Sequence, residues 1–140
     1  MSEKGVNMLE RVHEHILDEL QINTRTDTIF ILAAIILNLI TLAVNSAIAG
    51  GNNGGTTTIL MFTFVALLVV VNLVSEIGLI RGRQTREKLI QGLLKMYKDQ
   101  GVEGYYDPSL LSDYRTRYNL FMLAVLFTGL IGIVVPFIIR

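Results

Sequence analysis

Acidic and basic side chains are missing from about half of this chain, and no other feature constrains its fold as strongly. Residues 28–80 are 53 positions with one ionisable side chain, Glu76. Residues 118–139 are 22 positions with no acidic or basic group at all. A soluble domain carries roughly 25% charged residues spread over its surface; here the share is 17%, concentrated in the remaining segments. A bilayer core of about 30 Å needs roughly 20 helical residues to cross it. Residues 28–49, 57–80 and 118–139 each meet that length, and too little polar sequence remains to cover three such helices in water. The expected fold class is therefore an all-α integral membrane protein with three transmembrane helices and helical cytoplasmic extensions. Disorder and a disulfide scaffold are excluded by the hydrophobicity and by the absence of cysteine.

The basic residues set the expected orientation. The loop at 50–56 is uncharged, whereas residues 81–117 hold eight Lys and Arg. Positive loops stay cytoplasmic. This predicts a multi-pass cell-membrane protein with its N-terminus inside, a short Gly-rich external loop, and the C-terminal Arg140 outside. The first 27 residues are polar, which predicts no cleavable leader.

Four regions follow. Residues 1–27 are expected to form a cytoplasmic amphipathic helix, with Leu9, Val12, Ile16 and Leu20 on its apolar face. Residues 28–80 hold transmembrane helices 1 and 2. Residues 81–117 read as a cytoplasmic helical hairpin, and residues 118–140 as transmembrane helix 3. In the hairpin, Leu89, Ile90, Leu93, Leu94 and Tyr97 recur at one-face spacing, Gly101 marks the turn, and Asp107-Pro108 reads as a helix start. Beyond it, Leu111, Tyr114 and Tyr118 share a face. The arm carries a net charge of −3 (three basic, six acidic) and the hairpin +3 (eight basic, five acidic). Docking of the arm on the hairpin is expected, with the apolar stripe supplying most of the affinity because exposed ion pairs are weak.

Polar residues inside the apolar runs are the candidate sites. Asn38, Thr41 and Asn45 lie at i, i+3 and i+7, one stripe on the first span. Asn72, Ser75 and Glu76 share a face of the second, and Thr128 lies in the third. Such groups need partners in lipid; either they bond to other helices or they face a hydrated pore. Taking span midpoints near Leu39, Leu68 and Gly129, Asn72 lies about 6 Å and Glu76 about 12 Å toward the inside, and Asn45 about 9 Å outward. This predicts a graded polar track rather than one tight cluster. An intramembrane carboxylate is a functional candidate by default. Glu76 would form a cation-attracting ring in an oligomer, or would be neutralised by Arg81 or Arg83. Gly129, Gly132 and Pro136 are expected to serve helix packing or a hinge.

No nucleophile–base pair, phosphate loop or base-reading motif is present, so neither an enzyme nor a nucleic-acid partner is expected. Glu10, His13 and Glu14 share a helix face, but one helix supplies too few ligands; no metal and no cofactor is expected. The expected function is a subunit of a homo-oligomeric channel or pore, ion-conducting with cation preference. The alternative is a non-conducting scaffold or accessory subunit that docks a cytoplasmic protein partner. Membrane lipids are partners in either case.

Overall fold

Residues 6–49 contain neither glycine nor proline, so nothing in them interrupts a helix. In the computed structural model, which describes residues 3–52, 54–102, 104 and 109–140 (the side chains of 3, 4, 6 and 110 excepted), they belong to one continuous helix, α1 (Glu3–Ala49). The change from polar arm to apolar span is thus a change of surface chemistry along a single rod of 47 residues, about 70 Å long. Thr24 and Thr28 straddle the transition. Their hydroxyls bond back to the carbonyls of Leu20 and Thr24 at 3.0 and 2.8 Å, so neither opens the helix.

Two further helices complete the fold, α2 (Gly55–Asp99) and α3 (Ser109–Ile139). Each of the three has an apolar stretch long enough to cross a membrane. The expected start at Asp107-Pro108 lies outside the described residues. Gly78, Gly82 and Gly92 weaken α2 without ending it. α2 ends where Gly101 takes a φ of 71° and the Val102 N–H bonds the Tyr97 carbonyl at 2.9 Å, a glycine-closed terminus. At the opposite end α1 and α2 are joined by a tight turn. There the Thr57 hydroxyl is within 2.7 Å of the carbonyls of both Asn52 and Gly54.

Each helix packs on the other two in an up-down-up bundle. The buried positions recur at alternating steps of three and four or at their sum. On α1 they include Asp27, Ala34, Asn38, Thr41 and Asn45; on α2, Met61, Leu68, Asn72, Ser75, Leu79 and Gly82; on α3, Tyr118, Val125, Gly129, Gly132 and Pro136. This is the 3.5-residue period of helices packed nearly in line. The seam's apolar layer is Ala34, Leu79 and Val125, flanked by Phe30, Ile31, Ile35 and Met122. The outer faces of the same segments are apolar too: Leu32, Ile36, Ile40, Val70, Leu73, Val74, Leu123, Phe127 and Leu130 are all exposed. Surfaces of that kind suit lipid.

The polar halves of the helices continue the bundle as a charged three-helix stalk. The arm's seam differs from its expected stripe at one position. Val12 is 48% exposed, and His13 takes its place beside half-buried Leu9, Ile16 and Leu20. The reason is geometric: continuing the seam backward from Leu20 at steps of four and three reaches Ile16, His13 and Leu9, which leaves Val12 to one side. Electrostatic docking also takes another form. The one direct ion pair among the described residues is Glu87–Arg115 at 2.9 Å, within the hairpin; arm and hairpin meet through hydrogen bonds and the attraction of Arg86 for the Asp27 carboxyl. Ile16 packs on α2 beside Gly92. Ile16→Asp is therefore expected to release the arm, exposing Arg11 to trypsin several-fold faster. Val12→Asp should leave the digestion rate unchanged; equal effects would contradict this seam.

Candidate functional site

The structure turns the polar stripes of the apolar segments inward, toward one another within a single chain. Asn38 is fully buried at the meeting point of all three helices. Its side-chain amide donates to Asn72 Oδ1 at 3.0 Å and to the Thr128 hydroxyl at 2.9 Å. A longer contact of 3.3 Å reaches the Val125 carbonyl. Asn72 returns the bond, donating to Asn38 Oδ1 at 2.8 Å, and also reaches the Leu68 carbonyl of its own helix at 2.7 Å. Reciprocal amides satisfy each other's donors and acceptors where no water is available. Contacts of this kind between membrane helices contribute about 0.6–2 kcal/mol each.

Asn38, Asn72 and Thr128 are thus one cluster; this corrects the expected offset of Asn72 from Asn38 and Thr128, while Asn45 and Glu76 stay outside the cluster. Midpoints assigned from apolar run lengths ignore helix stagger, and an asparagine side chain spans part of the remaining gap. α3 approaches this cluster through its glycines. A Cβ on Gly129 would lie 2.6 Å from Asn72 Cγ, and one on Gly132 would lie 2.9 Å from Leu68 Cδ1. Both glycines occupy packing positions, and Pro136 is buried within a helix that continues to Ile139.

Asn45 donates to the Met61 carbonyl at 3.3 Å, while its Oδ1 has no partner among the described residues. Thr41 and Ser75 are buried in the same seam. Glu76 is half-buried on its flank, and its Oε1 is enclosed without a partner among the described residues. Arg83, one of its expected neutralisers, instead donates to Asn119 Oδ1 at 2.6 Å.

No family, curated protein or solved structure matches this chain.

A second polar cluster lies where the apolar seam gives way to the stalk. Asp27 is buried, and its Oδ2 accepts a hydrogen bond from the Tyr118 hydroxyl. The same hydroxyl lies 3.1 Å from Asn23 Oδ1, and Asn23 in turn donates to the Gly82 carbonyl at 3.2 Å. Gly82 forms the socket: a Cβ there would fall 2.9 Å from Asp27 Cγ. Burial pushes the Asp27 carboxyl above its ordinary range, while the Tyr118 hydrogen bond and the nearby Arg86 charge pull it down. One helical turn further into the stalk, Arg86 donates to the Thr24 hydroxyl at 2.5 Å and lies 4.2 Å from the centre of the Tyr114 ring. At the far end of the stalk, His13 Nε2 and the Tyr97 hydroxyl share a hydrogen bond of 3.1 Å. Glu10 and His13 stay on one side of α1, lining the same cavity beside Tyr97.

Sequence reading missed the Asp27–Tyr118–Gly82 lock because Asp27 was counted with the acidic arm. The available signal was spacing: Leu20, Asp27 and Ala34 are seven residues apart, so Asp27 occupies the seam. The arrangement holds helices together at two polar levels. Among the described residues no group of three or more His, Asp or Glu is placed to hold a metal.

Proposed function

We propose that the chain is a non-conducting membrane scaffold or accessory subunit that presents its three-helix stalk to a cytoplasmic protein partner. One observation carries this reading: Asn38, Asn72 and Thr128 close on each other inside one chain, and Thr41, Asn45 and Ser75 are buried in the same seam, leaving a largely apolar exterior. A homo-oligomer of such bundles would line a shared axis with aliphatic side chains, a poor path for ions. The basic hairpin supports a topology with the N-terminus and stalk inside and Arg140 outside. Arg140 lies at the same end of the bundle as the short turn, bonded to the Thr58 hydroxyl.

The cation-pore reading retains support in the unpartnered polar atoms of the apolar segments, the enclosed Oε1 of Glu76 above all. Flux distinguishes the two. Purified protein in liposomes is expected to pass no more potassium or sodium than empty liposomes, at any voltage or pH. Flux that falls in Glu76→Gln, with the oligomer intact by size exclusion, would overturn the scaffold reading in favour of a pore.

A further inference from the structure

Two arginines converge on one tyrosine at the level where the apolar segments end. The Arg86 guanidinium lies 4.2 Å and the Arg117 guanidinium 5.8 Å from the centre of the Tyr114 ring. They line an open groove of about 250 Å³ between α1 and α3. Arg86 Nε is buried without a hydrogen-bond partner among the described residues, and neither arginine is in an ion pair there. The groove's acidic side chain, Asp27, already accepts the Tyr118 hydroxyl, so two cations face at most one anion. On the membrane side the lining changes to Ile31 and the exposed ring of Phe121.

Guanidinium groups match phosphate oxygens in geometry and charge. A groove that is basic at the boundary and apolar below it fits a molecule built the same way. We propose that this groove binds the phosphate of an anionic phospholipid in the leaflet on the stalk side, with the acyl chains lying along Ile31 and Phe121. The proposal requires that the apolar segments be embedded in a bilayer; it is independent of whether the protein is a scaffold or a pore. Basic pockets beside membrane helices recognise anionic headgroups in this way, with each arginine near the surface contributing about fivefold in affinity.

The test is lipid retention by the full-length protein in mild detergent, followed by native mass spectrometry during titration with phosphatidylglycerol or phosphatidylcholine. The wild type is expected to retain phosphatidylglycerol in clear preference. Arg117→Gln should weaken that retention about fivefold, and Arg86→Gln with Arg117→Gln about 25-fold. Arg117→Gln is the safer variant for folding because Arg117 contributes a ring contact alone among the described interactions. Arg25→Gln, exposed on α1 outside the groove, should have no effect. Equal retention of the two lipids would overturn the proposal. So would an equal loss in Arg25→Gln and Arg117→Gln, which would indicate general surface charge. Displacement of bound phosphatidylglycerol by inorganic phosphate, with no dependence on acyl chains, would reassign the groove to a free anion and overturn the lipid claim.

Discussion

Gly129→Val is expected to lower stability by about 3 kcal/mol, the upper end of the usual cost of overpacking a core. The added Cβ would meet the Asn72 amide, with Cγ at 2.6 Å and Nδ2 at 2.7 Å. Asn72 has nowhere to go: it bonds Asn38 in both directions and the Leu68 carbonyl as well. Moving it would strand buried donors and acceptors, each costing about 1–3 kcal/mol. Gly132→Ala meets a softer obstacle, the Leu68 Cδ1 at 2.9 Å, and should cost only about 1 kcal/mol because a leucine end can rotate. Gly92→Ala is the opposite case. Its new Cβ would touch Ile16 Cδ1 at an ordinary 3.8 Å, so the gain in helix propensity, roughly 0.5–1 kcal/mol, should dominate. Unfolding by sodium dodecyl sulfate titration from mild-detergent micelles measures all three. A Gly129→Val protein as stable as wild type would refute the close approach of α3 to the Asn38–Asn72 pair.

These glycines show what the sequence made legible and what it did not. Charge depletion located all three apolar helices, each long and apolar enough to cross a membrane. Spacing placed Asn38, Thr41 and Asn45 on one face, and all three are buried together. Periodicity does not say what a face meets. An inward-facing stripe and a pore-facing stripe have the same spacing, and the difference lies in partners on other helices. The Asn38–Asn72–Thr128 cluster depends on helix stagger, which run lengths locate only to within a turn. Gly82 carried no signal of its own, since its role follows from the Asp27 carboxyl opposite it. The continuation of α1 from arm to span was legible in the absence of glycine and proline, but the change in polarity at residue 28 suggested a boundary where the helix has none.

The central claim is that the polar seam is closed inside one chain, and water access to that seam tests it most directly. The protein contains no cysteine, so single cysteines can be introduced without background. Ser75→Cys is nearly isosteric and Thr41→Cys conservative, and both positions are buried in the seam. Asn52 and Gln84 are exposed controls, at the short turn and in the stalk. Thiol reagents attack the thiolate, which forms readily in water and poorly in a dry, apolar site. With a charged, membrane-impermeant reagent on intact cells, Asn52→Cys is expected to react at once, and Gln84→Cys only after lysis. Thr41→Cys and Ser75→Cys should remain unlabelled in both conditions until the protein is denatured. Labelling of Thr41→Cys and Ser75→Cys in the folded protein, at rates comparable to Gln84→Cys, would mean that water fills the seam and would contradict the account.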